Sequence, residues 1–166
     1  GGGIAFSAGY PMTAGAYQTT FGGIRDIAIT KYTPSGNTLL FSTYLGGNNA
    51  DVPHSLVNDS QDNLIVLGSS GSSNYPTTAG CYDPSFNGGA NFTGSNGIPY
   101  NVGADAIITK FNAAGTAIVQ AAWLERIHRV SAVQPDVADR GRLGQLRHHR
   151  AVAGCQRRRL DFSVRP

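Results

Sequence analysis

The sequence predicts an all-β fold, and three observations support this prediction. The 166-residue chain contains 22 Gly, 8 Pro and 7 Tyr, a composition typical of short strands joined by tight turns. Two motifs recur in the same order, which indicates an internal structural repeat. Within one copy of the repeat, side chains alternate with the period of two that β-strands require. With 40% hydrophobic and only 14% charged residues, the chain has enough apolar side chains to form a core.

The internal repeat determines most of what the sequence predicts. Residues 10–17 (YPMTAGAY) recur as residues 75–82 (YPTTAGCY), 65 positions later. Residues 26–31 (DIAITK) recur as residues 105–110 (DAIITK), 79 positions later. The two spacings differ by 14, the length of an insertion at residues 90–103. Because the insertion is rich in Gly and Asn, we predict that it is a loop.

Four short antiparallel strands are predicted in one copy of the repeat. The first strand alternates, so we place Ile27 and Ile29 on one face and Ala28 and Thr30 on the other. The strands that follow are rich in β-branched, aromatic and Leu residues. The four predicted strands are residues 26–32, 38–45, 54–57 and 64–67.

The connections between these strands carry turn residues. Residues 33–37 (TPSGN) combine Pro, which presets φ, with Gly, which accepts a positive φ. Residues 59–63 (DSQDN) predict a hairpin with a five-residue loop. Four-stranded units repeated along a chain are typical of β-propeller blades, with a β-sandwich or a solenoid as the alternatives. We therefore predict a fragment of a β-propeller, with about one complete four-stranded blade plus parts of its two neighbours.

The repeat also predicts the organisation of the chain. A closed propeller needs at least ~4 blades, so we expect these residues to belong to a longer array. Repeats shield their apolar faces with neighbouring repeats, and we expect the exposed strand edges to favour association. The predicted divisions are the end of a blade at 1–25, a full repeat at 26–89, the loop insertion at 90–103 and the start of the next blade at 104–124.

Charge divides the chain near residue 125. Residues 1–124 carry three Lys or Arg against six Asp, whereas residues 125–166 carry ten Arg against four acidic residues. The repeat breaks off after Leu124, where one inserted nucleotide would convert a Leu-Gly-Gly coding stretch into Leu-Glu-Arg. We therefore predict that residues 125–166 are a poorly ordered basic tail produced by out-of-frame translation. The alternative is an arm for nucleic acid or anionic membranes, which is disfavoured because Phe162 is its single aromatic residue for base stacking.

The motifs resemble the bacterial β-propeller repeat known as the SBBP repeat. The segments that carry the resemblance are residues 26–31, STYLGG at 42–47, DNLIVLG at 62–68 and YPTTAG at 75–80. The second copy, with SFNGG and GIPYN before its Asp-x-x-x-Thr-Lys motif, is similar to large Bacteroidota surface proteins. Those proteins carry such repeats and commonly end in a gliding-motility-associated C-terminal domain. The resemblance covers about residues 10–124.

The resemblance implies a non-catalytic scaffold of an exported protein, located extracellularly or at the bacterial cell surface, with an adhesion or recognition role. The partners it implies are adjacent propeller blades of the parent chain and a glycan or protein ligand at the cell surface. No apolar run approaches the ~20 residues of a membrane helix, and the chain begins with three Gly and no signal peptide. The alternative function is a glycan-acting propeller enzyme or a lectin-like module.

Chemistry-bearing residues are few, since residues 1–124 contain no Glu and one His. Asp51 and His54 form the nearest acid–base pair, but a loop carboxylate beside a surface His is the interpretation we favour. Asn48, Asn49 and Asp51 offer oxygen ligands at a spacing that does not match a calcium loop. We therefore predict no catalytic, cofactor-binding or metal-binding residue. The candidate residues for recognition by loops are Asn48, Asn49, Asp51, His54, Phe92 and Tyr100, with packing of the two aromatics inside their own loop as an equal alternative.

Overall fold

The structure, a computed structural model, describes the backbone of residues 1–126 and the side chains of residues 1–124. This part of the chain contains β-strands and no helix, which confirms the all-β prediction. The strands are β1 (Gly2–Ala5), β2 (Asp26–Tyr32), β3 (Leu39–Leu45), β4 (Asp51–Asn58), β5 (Leu64–Ser70), β6 (Phe92–Thr93), β7 (Pro99–Tyr100), β8 (Asp105–Phe111) and β9 (Ile118–Arg126).

The strands form two main antiparallel sheets and a small hairpin. The first sheet has the order β1-β2-β3, and the second sheet has the order β4-β5-β8-β9. The four strands predicted within one copy of the repeat are therefore divided, with β2 and β3 in the first sheet and β4 and β5 in the second. The division arises because β5 pairs with β8, which belongs to the next copy of the repeat. One sheet thus collects strands from two successive copies.

The predicted strand positions agree well with the structure. β2 has the predicted bounds, whereas β4 begins three residues earlier and β5 ends three residues later than expected. Asn58 pairs with Leu64, so residues 59–63 form the predicted five-residue loop. Asp62 adopts a positive φ of 63°, a conformation that Asp tolerates in tight turns.

The two sheets repeat the same strand register. Gly2 pairs with Ile29 in the first sheet, and Leu67 pairs with Ile108 in the second, at spacings of 65 and 79. The pairing of β2 with β3 is reproduced by β8 with β9, including a bulge at the end of β2 and of β8. The sequence repeat is therefore also a structural repeat of the backbone.

Two equivalent loops, which we call the Tyr-Pro loops, line the outer edges of the two sheets. The first comprises residues 10–21 and the second residues 75–86. In the first, Thr13 N donates to Ser42 O at 3.2 Å; in the second, Thr78 N donates to Ala121 O at 3.0 Å. Each loop thus satisfies backbone groups that an edge strand would otherwise expose.

The sheets stack with unlike faces in contact. We call the face of the first sheet that carries Ile27 and Ile29 the front, and the face that carries Ala28 and Tyr44 the back. At the repeat spacing, Ile107 and Trp123 mark the back of the second sheet. One buried cluster joins the front of the first sheet to the back of the second. Its members are Ile27, Ile29, Phe41, Leu45, Val66, Tyr75, Ile107, Phe111 and Trp123.

The sequence predicted a loop at residues 90–103, but the structure shows a short β-hairpin within this insertion. β6 and β7 form a hairpin in which Phe92 pairs with Tyr100. The hairpin forms because its apolar residues find partners on the second sheet: Ile98 and Tyr100 are buried in one cluster with Val52. Two-residue strands carry too little alternation to be recognised in a sequence.

The predicted basic tail of residues 125–166 lies outside the described residues, apart from the backbone of residues 125 and 126. These two residues extend β9. Asp105 pairs with Arg126 after an irregularity in the register that has no counterpart in the first sheet.

Candidate functional site

The six candidate recognition residues lie around the end of β5 in two groups. Asn48, Asn49 and Asp51 contact the segment that follows β5, residues 71–74. His54, Phe92 and Tyr100 lie around Ser69, near the end of β5 itself.

Asp51 is a buried anchor rather than a surface carboxylate. Its Oδ2 accepts hydrogen bonds from the Gly47 N–H and the Ser72 hydroxyl, each at 2.8 Å. Burial raises the pKa of Asp51 to about 7, against hydrogen bonds from Ser70, Gly47 and Ser72 that lower it; the nearby charge of Asp26 raises it further. The carboxyl holds the β3–β4 connection to the segment after β5.

Gly46 is required where the two buried carboxyl groups approach each other. A Cβ atom at this position would lie 2.7 Å from Asp51 Oδ2 and 2.8 Å from Asp26 Oδ1. Any side chain at residue 46 would therefore collide with both carboxyl groups. The first Gly of the Leu-Gly-Gly at residues 45–47 thus has a packing reason in this chain.

Asn48 and Asn49 are used mainly through their backbone. The Asn48 N–H donates to Asn74 Oδ1 at 2.7 Å, and the Asn49 N–H donates to Ser72 Oγ at 2.8 Å. The Asn49 side-chain oxygen accepts from the Ala50 N–H at 3.0 Å. Among residues 1–124, no group of three or more His, Cys, Asp or Glu could hold a metal ion.

His54, Ser69 and Tyr100 form a chain of hydrogen bonds. His54 Nε2 lies 2.7 Å from Ser69 Oγ, which in turn lies 3.0 Å from the Tyr100 hydroxyl. An imidazole beside a serine is the contact from which nucleophilic catalysis starts, but this hydroxyl is buried and already paired with Tyr100. No carboxylate of residues 1–124 bonds to His54 to orient it. The chain attaches the hairpin to β5 and leaves the imidazole at the surface.

The two candidate aromatic residues pack against each other. The rings of Phe92 and Tyr100 are stacked with centroids 5.0 Å apart. Tyr100 is buried: its ring also packs with Val52, and its hydroxyl bonds to Ser69, so of the two alternatives for this residue the structure shows packing rather than an exposed ring. Burial raises the pKa of Tyr100, against the hydrogen bond to Ser69. Phe92 stays half-buried and keeps part of its surface available.

Sequence reasoning missed the role of the Asp that begins the strand in each copy. Asp26 Oδ2 accepts from the Gly22 N–H at 2.7 Å and from Gln18 Nε2 at 3.1 Å. Asp105 Oδ2 accepts from the Asn87 N–H at 2.5 Å and the Gly88 N–H at 3.3 Å. Each carboxyl therefore closes its own Tyr-Pro loop. The sequence did contain a signal for this role, since an Asp begins the strand of both Thr-Lys motifs.

The Lys of both Thr-Lys motifs converge on one turn. Lys31, in the first sheet, binds Asp62 at 2.5 Å, and Lys110, in the second sheet, binds Asp59 at 2.7 Å. The ammonium groups lower the pKa of both carboxyls. The β4–β5 turn is thus held by one Lys from its own sheet and one from the preceding sheet.

Comparison with known proteins adds no relative. No family model, no curated protein and no solved structure matches the chain. Within the part of the chain that the structure describes, no helix is long and apolar enough to cross a membrane.

Proposed function

We propose that the chain is part of a repeat β-propeller that serves as a non-catalytic scaffold at a bacterial cell surface, with an adhesion or recognition role. The observation that carries the proposal is the stacking, front against back, of two sheets that share three equivalent strands. The resemblance to SBBP repeats of exported proteins supports the surface location.

Front-to-back stacking favours an array over a β-sandwich. A contact between two like faces ends after two sheets, whereas a contact between unlike faces leaves a front at one end and a back at the other. Each further repeat then adds one sheet, and the array closes if the rotation between sheets allows it. Propellers of four or more blades are the closed form of such an array.

The use of the buried polar groups supports a non-catalytic role. Asp26, Asp51 and Asp105 each bond to backbone N–H groups of loops that they hold in place. Ser69 is buried between His54 and Tyr100. The residues that are chemically most reactive are therefore engaged in fixing loops.

The exposed groups near the end of β5 are suited to recognition. The His54 imidazole, the Asn48 side chain and the free surface of Phe92 lie on segments that the buried bonds of Asp51 and Ser69 hold in place. Rigid loops that present an aromatic surface and polar groups can bind a glycan or a protein at low entropic cost.

Labelling of intact cells tests the proposal. Antibodies against residues 1–124 are applied to cells of the source bacterium before and after permeabilisation, with a cytoplasmic protein as the control. We expect labelling of intact cells, and weaker attachment to host or glycan-coated surfaces when the gene is deleted. Labelling only after permeabilisation would contradict a surface location.

A further inference from the structure

Two buried carboxyl groups lie side by side at the junction of the sheets. Asp26 begins β2 in the first sheet and Asp51 begins β4 in the second, and both side chains are fully buried. The position that a Cβ atom of Gly46 would take lies 2.7 Å from Asp51 Oδ2 and 2.8 Å from Asp26 Oδ1. The two carboxyls therefore face each other across this glycine, and the charge of Asp26 adds to burial in raising the pKa of Asp51.

One oxygen of each carboxyl has no hydrogen-bond partner. The Oδ2 atoms of Asp26 and Asp51 accept from loop donors, whereas both Oδ1 atoms are buried and accept from no group within residues 1–124. Asp26 Oδ1 is also the oxygen that lies next to Gly46, on the side of Asp51. A buried carboxylate oxygen without a donor is unfavourable, because nothing replaces the water that it has lost. Two acceptor atoms are thus left for a ligand.

No Lys or Arg side chain of residues 1–124 neutralises this pair of carboxyls. Lys31 and Lys110 are both paired with carboxyls of the β4–β5 turn. The Arg25 guanidinium lies over the Phe6 ring, 4.5 Å from its centroid. A proton can compensate the pair below the pKa of Asp51, about 7, but above it the charge needs another partner. Because buried charges in proteins are paired or coordinate metals, this arrangement indicates a bound cation.

The atoms available to hold a cation here are oxygens. The Ser72 hydroxyl bonds to Asp51 Oδ2 at 2.8 Å. The Gly47 carbonyl oxygen and Asp26 Oδ2 border one point, lying 2.8 and 3.5 Å from where a Cβ atom of Gly22 would stand. Calcium accepts carboxylate, carbonyl and water oxygens in a flexible geometry, whereas magnesium requires a near-ideal octahedron. Since residues 1–124 provide no group of three or more His, Cys, Asp or Glu, two carboxylates suit weak binding of calcium.

We propose that Asp26 and Asp51 hold a calcium ion at the junction of the two sheets, with backbone and water oxygens completing its coordination. The ion compensates the charge of both carboxyls and gives Asp26 Oδ1 and Asp51 Oδ1 a partner. It also ties β2 of the first sheet to β4 of the second, so bound calcium stabilises the stack. This metal site goes beyond the proposed scaffold role and does not depend on it.

Thermal unfolding of the full chain tests the site at about pH 8, above the pKa of Asp51. With a dissociation constant on the order of 0.1–1 mM, as in extracellular calcium modules, Tm should be about 4 °C or more higher in about 10 mM calcium chloride than in EDTA. No rise of Tm in the wild type, or an equal rise in sodium chloride of the same ionic strength, would overturn the proposal. An equal rise with magnesium chloride would overturn the assignment to calcium.

The variants Asp26→Asn and Asp51→Asn test which residues bind the ion. Their amide oxygens can still accept the loop bonds, so the fold should persist while the rise of Tm with calcium decreases to about 1 °C or less.

Asp105→Asn is the matched control for these two variants. Asp105 is equivalent to Asp26, is equally buried and also has an unpartnered Oδ1, but it lies two strands from Asp51, with Ser70 between them. Its variant should keep the full rise of Tm with calcium. A full rise in Asp26→Asn, or a lost rise in Asp105→Asn, would contradict the assignment, and circular dichroism verifies that each variant folds. None of these outcomes bears on cellular location, so the calcium site can fail while the surface scaffold role holds.

Discussion

The first and second sheets have the same backbone bonds and different surroundings. Tyr44 N donates to Gln18 O in the first sheet and Trp123 N donates to Asp83 O in the second, both at 3.0 Å. Yet Phe111 of the second sheet is fully buried, whereas its counterpart Tyr32 is half exposed. The two sheets thus share their strand pairing, while the exposure of this one position differs with the sheet that lies beside it; Tyr44 and Trp123, by contrast, are buried in both sheets.

The largest difference between the sheets is expected when the equivalent aromatics Trp123 and Tyr44 are each replaced by Ala. Trp123 lies between the sheets, whereas its counterpart Tyr44 is covered mainly by its own Tyr-Pro loop. We expect Trp123→Ala to reduce the free energy of unfolding by about 3–5 kcal/mol, and Tyr44→Ala by about 2 kcal/mol. Urea unfolding measures both values. Equal losses would mean that the stack contributes little to stability.

A second prediction concerns pH at the junction of the sheets, where Asp51 has a pKa raised from 3.8 to about 7. The unfolded chain then releases this proton before the folded chain does, so stability should fall as pH rises from about 4 to about 7 and then level off. We expect a loss on the order of 2–4 kcal/mol across this window.

The Asp51→Asn variant tests the assignment of this pH dependence. Its amide oxygen can still accept from Gly47 and Ser72, so the slope should flatten while the fold persists. Urea midpoints at about pH 5 and about pH 8 measure the slope. Asp59 and Asp62 titrate below the window because their pKa values are lowered. An unchanged slope in the variant would contradict the assignment to Asp51.

A smaller difference in the free energy of unfolding is expected between Ala variants of the equivalent tyrosines Tyr17 and Tyr82. We expect Tyr17→Ala to reduce the free energy of unfolding by about 1–2 kcal/mol, because the edge-on contact with Phe111 is lost. Tyr82→Ala should change it by less than about 0.5 kcal/mol in the monomer. Thermal unfolding of dilute samples compares the two; a larger loss at Tyr82 would show that the loops are not equivalent.

The smallest effect is expected at the two ion pairs on the β4–β5 turn. Asp62→Asn removes a mostly exposed pair that links the sheets, so Tm should decrease slightly and the decrease should vanish in about 1 M NaCl. Asp59→Asn, the matched variant, should decrease Tm more, since the Lys110–Asp59 pair is less exposed and Asp59 Oδ2 also accepts from Asn63 Nδ2. The reverse order would indicate that Lys31 matters more than the turn.

Strand periodicity and turn chemistry predicted the local structure well. The bounds of β2, the placement of Ile27 and Ile29 on one face and the five-residue loop at 59–63 are confirmed. All of these depend on neighbours in the sequence, which alternation and turn residues encode directly.

What the sequence did not reveal depends on contacts between distant segments. A repeat shows the spacing of its copies but not where one sheet ends, so the division between β3 and β4 was not predicted. The burial of Tyr100 depends on Val52 and Ser69, more than thirty residues away. The carboxyls of Asp26 and Asp51 were missed for a different reason: their partners Gly22 and Gly47 lie only four residues away, but a backbone N–H is present at nearly every residue and so leaves no signal in the sequence.

The boundary between the two sheets falls inside one copy of the sequence repeat, between β3 and β4, and this offset affects how the gene can change length. The second sheet takes β4 and β5 from one copy and β8 and β9 from the next. Recombination that deletes one whole copy from an array joins the first half of one sheet to the second half of another. Because equivalent strands pair in the same register, the two half-sheets can pair with each other, and no strand edge is left without a partner. In the proposed array, the gene can therefore gain or lose single copies wherever the crossover falls.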